Sequence, residues 1–353
     1  MTPNPTRLAN AALAVAASLT LALPAAATPV EKYLTKPAEW YRGEEAARVA
    51  ANVLSHQSAD GGWPKNTDTT AAYTGDPAQL KGTFDNGATT GELRFLARMH
   101  TETKDERYSR GFLKGLDHIL KAQYPTGGWP QYHPPPKSYH RHITFNDNAM
   151  VRVMSFLRDV ATQEGFAFVD AARRRGAKDA FDRGIACILK CQVTVDGKPT
   201  AWCAQHDEID YTPRVGRTYE LVSLSGAESV GVVRLLMSLD DQSPEVVRAV
   251  DGAVAWFEAA KIEGIRVSIE RDEKSPTGRN RVVVKDPKAP PLWARFYEIG
   301  TNRPIFSDRD GVKKYALAEI GYERRNGYAW YGSWPQPLLE KEYPAWKKKH
   351  GGK

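Results

Sequence analysis

Gln57-Ser58-Ala59-Asp60-Gly61-Gly62-Trp63-Pro64 is written again further on as Gln123-Tyr124-Pro125-Thr126-Gly127-Gly128-Trp129-Pro130. A looser third copy runs from Gln192 through Gly197 to Trp202, at nearly the same interval again. Each glutamine closes a helical stretch, and a loop carrying the tryptophan follows. Beyond each loop a new helical run opens at an acidic or amide cluster: Asp85-Asn86, Asn146-Asp147-Asn148, and Glu228. Self-similarity at so regular an interval means stacked helix pairs. Every such loop joins the end of one helix to the start of the next, so the three should gather on one face. A face rich in Trp, Asp, Asn and Arg is where function would sit.

Apolar residues recur at helical spacing over 44–57, 87–100, 105–123, 147–160, 168–191, 226–239 and 244–260. Short alternating stretches from Ile265 to Ile269 and from Arg281 to Val284 read as small strands. The stretch from Lys261 to Asp310 is loop-rich and should cross the same face. No linker or compositional break divides the chain, so 28–353 is expected to be one domain. Seven helices joined loop to loop predict a mainly α protein, an incomplete (α/α) toroid of antiparallel helix pairs with a few short strands in the loops. A stacked solenoid is the alternative. A toroid closes the cleft between its loops into a groove, which suits a polymer.

Residues 1–27 stand apart. Arg7 precedes an apolar run from Ala11 to Leu23, and Ala25-Ala26-Ala27 offers a small-residue cleavage site, the pattern of a secretory signal peptide. The run is short for a membrane span. The mature protein is therefore expected to be secreted, periplasmic or extracellular, with no membrane association, and to act as a monomer. The net charge of the full sequence, +7, admits an anionic polymer as partner, and export argues against nucleic acid. Lys347-Lys348-Lys349 reads as a solvated tail. Of the three cysteines, Cys187 and Cys191 stand four apart on a predicted helix, a poor geometry for a mutual bridge. A Cys191–Cys203 bridge would leave Cys187 buried and free. The missing companions to these thiols argue against zinc.

Asp85 and Asp147 stand at equivalent points of two repeats, each after a Thr-Phe pair. Helix capping is the plain reading of such residues, and Glu228, three after Ser225, fits a capping pattern. Asp85 and Asp147 differ in having amide neighbours within convergent loops. Carboxylate and amide oxygens suit calcium or magnesium rather than zinc, although the twelve-residue calcium loop is absent. The third loop adds Asp207, Glu208 and Asp210, then Arg214 and Arg217; Arg295, Arg303, Arg309, Arg324 and Arg325 follow in the late loops. A single surface arginine contributes little, but several on one face suit bidentate recognition of carboxylates. Trp63 and Trp129 offer flat faces for sugar rings, or else wedge the helix ends apart.

Together, GGWPKN at 61–66, FDNGATTGELRFLA at 84–97, GGWPQY at 127–132, ITFNDNAM at 143–150 and the AWCAQHD, TP, R and YE elements between 201 and 220 resemble the pectate lyases of polysaccharide lyase family ten. The likeness spans about 40–335. It implies an (α/α) toroid with a long groove and calcium-dependent cleavage of polygalacturonate by anti β-elimination. It places Asp85 and Asp147 at calcium and substrate, Arg217 as the base, and Arg303 as the best match to an arginine that binds a substrate carboxylate. Lys65, Asn86, Arg214, Trp63 and Trp129 are expected to contact substrate. Galacturonate carries a carboxylate on C5; neutralising it acidifies the C5 proton, and a second cation stabilises the enolate-like transition state. One step sits badly with general chemistry, because arginine is normally never deprotonated. A neutral Arg217 requires desolvation and neighbouring cations. The alternative is that Arg217 clamps a carboxylate while another group takes the proton, with Lys65 the next suspect.

Two rival functions use the same residues. A glycoside hydrolase would employ Asp85 and Asp147 as acid and base, and a non-catalytic binder of acidic polysaccharide would use the basic groove alone.

Overall fold

A computed structural model describes residues 28–350, so the expected signal peptide over 1–27 lies outside the described residues. Seven principal helices follow the predicted pattern: α1 (Glu44–Ser55), α2 (Thr90–Thr103), α3 (Glu106–Ala122), α4 (Ala149–Thr162), α5 (Ala171–Cys191), α6 (Glu228–Met237) and α7 (Pro244–Ala259). Helices α2 and α3, α4 and α5, and α6 and α7 pack as consecutive pairs. Across the pairs, α1, α3, α5 and α7 form one series of neighbours and α2, α4 and α6 another. Burial distinguishes them. Most of α6 is buried, whereas α5 turns a long polar side to solvent. The molecule is an open arc with α2, α4 and α6 on the inside and α1, α3, α5 and α7 on the outside, the toroid the periodicity predicts.

The two inner helices beside the carboxylates begin later than periodicity suggests. Asn86, Gly87 and Thr89 have φ of 52°, 77° and 70°, so α2 starts at Thr90 rather than 87. Asp147 and Asn148 have φ of 50° and 60°, which delays α4 to Ala149. Apolar spacing cannot register such left-handed residues.

The repeat is held by a recurring set of hydrogen bonds. Gln57 Nε2 donates to the carbonyls of Gly61 and Gly111. Gln123 Nε2 donates to those of Gly127 and Ala180, and Gln192 Nε2 to those of Thr200 and Ala249. Each glutamine thus staples its own loop to the next outer helix, satisfying a loop carbonyl and giving a second donor to a mid-helix carbonyl that already accepts within its helix. Each loop tryptophan then turns back under its helix. Trp63, Trp129 and Trp202 donate Nε1–H to the carbonyls of Val53, Ile119 and Ile188. Trp293 repeats the bond with Phe257, a fourth copy too degenerate for the sequence to display. All four rings are fully buried.

The loops bear short strands. β1 (Ile143–Thr144), β2 (Gln205–His206) and β3 (Pro213–Arg214) form one small sheet, tying the second and third loops together. β4 (Ile265–Arg271) and β5 (Arg279–Lys285) pair as an antiparallel hairpin, at the two stretches whose alternation predicts strands. A second small core of Tyr219, Phe296, Ile305, Phe306, Leu317, Ile320, Tyr328 and Trp330 supports the late loops. All three cysteines are buried and free, so the Cys191–Cys203 bridge is not formed; Cys187 and Cys191 place their sulfurs 4.0 Å apart, and Cys203 Sγ faces the Arg214 carbonyl. Among the described residues no helix is long and apolar enough to cross a membrane.

Candidate active site

The turn Asp85–Gly87 and the turn Asn146–Asn148 pack against each other at the loop end of the inner helices. Each presents one carboxylate. Asp85 is buried. Its Oδ1 accepts the Asn86 amide at 3.0 Å, and its Oδ2 is shared by Lys65 Nζ and Gln131 Nε2. Asn86 reaches back to Asn66 at 3.4 Å. Asp147 is more open. Its Oδ1 accepts from Arg295 at 3.2 Å and its Oδ2 from Asn146 Nδ2 at 2.8 Å. Asn146 Oδ1 and Asn148 Oδ1 are buried beside it without a hydrogen-bond partner among the described residues.

Arg295 emerges as the central cation. It pairs with both Asp147 and Glu228 and lies over the Tyr328 ring at 4.8 Å. Burial works against its charge, but Glu228, then Tyr328 and Asp147, outweigh it and hold its pKa above the usual arginine range. The capping pattern is only partly realised: Ser225 Oγ accepts the Glu228 amide at 3.0 Å, but the N-cap is Ala227, with no side-chain cap, and the Glu228 carboxylate serves Ser225 and Arg295 instead.

Tyr328 connects this group to the third loop. Its hydroxyl donates to Glu220 Oε1 at 2.7 Å, and Glu220 pairs with Arg217 and accepts the Arg217 amide at 2.9 Å. The Arg217 guanidinium lies over Tyr219 and Tyr328 at 5.1 and 5.5 Å, with its side chain 40% exposed. Burial pulls its pKa down; the Glu220 hydrogen bond and charge reverse this, so the net shift is upward. Lys65 behaves likewise. Burial disfavours its ammonium, yet Asp85 more than compensates and raises its pKa. Arg217 lies in the field of Lys65 and of Arg309. Tyr139 and His140 occupy the ground between, for both feel Arg217, Glu220 and Asp85.

The cluster thus brings together Asp85, Asn86, Lys65, Asp147 and Arg217. Arg214 sits nearby in β3, paired with Asp207 at 2.9 Å. Arg303 is placed elsewhere. It stacks on Tyr315 at 3.6 Å, and shares no hydrogen bond or ion pair with the cluster among the described residues. The late-loop arginines that approach are Arg295, and Arg309 and Arg324, which flank Tyr219 at 5.8 and 4.6 Å. Trp63 and Trp129 require correction. With no exposed surface and their indole N–H groups bonded to helix carbonyls, they offer no face to a sugar and act as wedges. Sequence reasoning passes over Gln131, Glu220 and Tyr328 as site residues and gives Arg295 no role of its own. Gln131 could have been found, since it occupies in the second GGWP loop the place of Lys65 in the first.

A second acidic group, His142, Asp207 and Glu208, has ligand atoms within 4.8 Å of one another and could hold a metal. Here Arg141 and His142 pair with Glu208 and Arg214 with Asp207.

The pectic acid lyase family matches residues 57–339 of the chain. Among solved structures, a family 10 polysaccharide lyase from Cellvibrio cellulosa is 36% identical, with a TM-score of 0.75, covering 89% of this chain and 96% of that one. An aspartate-to-alanine mutant of a family 10 lyase from the same organism, in complex with trigalacturonic acid, is 35% identical, with a TM-score of 0.75 and coverage of 89% and 97%. A comparison with curated proteins finds no match. The match over most of the chain, on a helical arc whose loop face gathers carboxylates and arginines, shows that this protein belongs to the pectic acid lyase family and is a polysaccharide lyase of family ten.

Proposed function

We propose that the protein is secreted and cleaves α-1,4-polygalacturonate by calcium-dependent anti β-elimination, releasing 4,5-unsaturated oligogalacturonates. The observation that carries this reading is the packing of the Asp85 and Asp147 turns together beside Lys65, Arg295 and Arg217. The donor set fits calcium: two carboxylates from adjoining turns, with the buried unpartnered Oδ1 of Asn146 beside them, are hard oxygens of the kind calcium takes. Bound there by Asp85 and Asp147, calcium would neutralise the substrate carboxylate and acidify C5–H.

The chain's own groups supply the rest. Arg295, held by Glu228, keeps positive charge at the site where enolate charge develops. Arg217 takes the C5 proton, the C5–H electrons form the C4–C5 double bond, and O4 departs with its sugar and gains a proton from solvent. Arg217 must first be neutral. Lys65 and Arg309 favour that state, whereas Glu220 opposes it. The Glu220 pair favours a second reading, in which Arg217 stays charged and clamps a carboxylate while another group takes the proton. The family match sets aside the hydrolase and the simple binder.

The test is incubation with polygalacturonate. Ultraviolet absorbance from a 4,5-unsaturated end is expected, lost in excess chelator and restored by calcium. Reducing ends without that absorbance would overturn the elimination, and full activity with verified zero metal would overturn the calcium assignment.

A further inference from the structure

Glu31 and Arg152 form an ion pair at 3.2 Å, with only 23% and 12% of their side chains exposed. Glu31 lies in the short turn Pro29–Tyr33, and Arg152 in the first turn of α4. The pair presses on Gly87. A Cβ at that position would lie 2.9 Å from Arg152 Nη1 and 3.3 Å from Glu31 Oε1. Gly91, in the first turn of α2, is as tightly covered: a Cβ there would stand 2.5 Å from Thr28 Oγ1 and 3.4 Å from Glu31 Cγ. Gly87 closes the turn that carries Asp85, and α4 begins two residues after Asp147. One ion pair therefore touches the first carboxylate turn and springs from the helix of the second.

Stability alone accounts poorly for this pair. Arg152 Nε is buried without a partner among the described residues, and apolar groups of similar volume commonly replace such pairs without loss. Glu31 is held firmly from behind. Tyr33 stacks on Trp40 with ring centres 5.0 Å apart, and the Tyr41 hydroxyl donates to the Tyr33 carbonyl at 2.6 Å.

We propose that Glu31 and Arg152 are positioning residues, a strut that sets the separation of the Asp85 and Asp147 carboxylates. The inference rests on the reading of those carboxylates given above. The strut touches neither substrate nor the reacting atoms; it acts through Gly87 and α4.

The test uses the mature chain with Arg152→Met and Glu31→Gln. In metal-free, substrate-free protein, amide exchange over 84–92 should speed up at least about tenfold in both variants, while α3 keeps its protection. Calcium binding, measured by calorimetry with the metal alone, should weaken about 10- to 100-fold, as loss of groups that orient ligands does elsewhere. Turnover on polygalacturonate should fall by a similar factor, with the Michaelis constant changed less than about threefold. Unchanged exchange over 84–92 in Arg152→Met would overturn the strut, as would a lowered melting temperature with full turnover per folded molecule. If Arg152→Met fails to fold, Arg152→Lys and the near-isosteric Glu31→Gln carry the same readouts. Absence of unsaturated product from the unaltered protein would refute the elimination instead, and the exchange result would still decide the strut.

Discussion

Arg217 carries the sharpest question at the scale of a single residue. It is paired with Glu220 and stacked on Tyr219, an environment that stabilises its charge. As the base, it should lose several orders of magnitude in turnover as either Arg217→Lys or Arg217→Ala, with little change in the Michaelis constant, because the lost interaction exists only in the transition state. As a clamp, Arg217→Lys should keep near-normal turnover and bind more weakly. Steady-state kinetics on polygalacturonate separate the two. A second residue concerns stability. Glu92 is fully buried, and burial lifts its pKa from 4.5 to about 7. Folded and unfolded states are both protonated below pH 4.5; the folded state then resists ionisation, so stability falls as pH rises from 4.5 to 7 and is lowest above. Glu92→Gln should match the native melting temperature at pH 4 and exceed it at pH 8, by about 1–3 kcal/mol in stability. Calorimetric melts at the two pH values check this. Neither environment was legible in the sequence. Glu92 reads there as an ordinary polar position of an amphipathic helix, and Glu220 as the tail of a motif. Their roles depend on what other parts of the chain bring against them. That Asp85 and Asp147 meet was legible because their motif announces itself by repetition, and that Arg217 lies near them because it follows the third loop of the same series. The place of Arg303, on Tyr315, was not legible by spacing, since the late loops lack a repeat from which to count.

The element that defines the molecule is the stapled loop between an outer and an inner helix. Gln123 satisfies the Gly127 and Ala180 carbonyls at 2.9 and 2.8 Å. Gln123→Leu keeps the size, strands the loop carbonyl of Gly127 and removes the second donor to Ala180, which should cost about 1–3 kcal/mol, read by chemical denaturation. Gln57→Leu should behave alike, because its geometry is the same. A negligible loss at both positions, below the worth of a single hydrogen bond, would mean that the staples do not hold the loops. The order and pairing of the seven principal helices were readable from apolar spacing, as was the convergence of the loops; the helix Tyr343–His350, where Lys347-Lys348-Lys349 reads as a solvated tail, was not. The starts of α2 and α4 were not, because a left-handed Asn86 or Asp147 has no signature in hydrophobicity. Trp63 and Trp129 misled for a related reason: a loop tryptophan looks available until its helix is seen to close over it.

For the whole molecule, the net charge of +7 and the arginines of the loop face should draw an anionic polymer through long-range attraction. Screening shortens that reach from roughly 14 Å at about 0.05 M salt to about 4 Å at about 0.5 M. The specificity constant on polygalacturonate should fall several-fold over this range through the Michaelis constant, with turnover nearly constant; equal affinity across the range would deny the loop face an electrostatic role.

The last outer helix has its own cover. The C-terminal helix α8 (Tyr343–His350) brings the Tyr343 hydroxyl and Lys347 Nζ to Asp251 of α7, each at 2.9 Å, while Glu342 pairs with Arg234 of α6. An arc, unlike a closed ring, has a first and a last member, and each staple speaks only to its neighbour. Such a chain is a zipper with a stop at each end, the Pro29–Tyr33 turn against α2 at the first and α8 at the last. Worn, heated or nicked, it should open from whichever end loses its stop first, and the two carboxylate turns, lying between its inner members, would be spared until the teeth beside them let go.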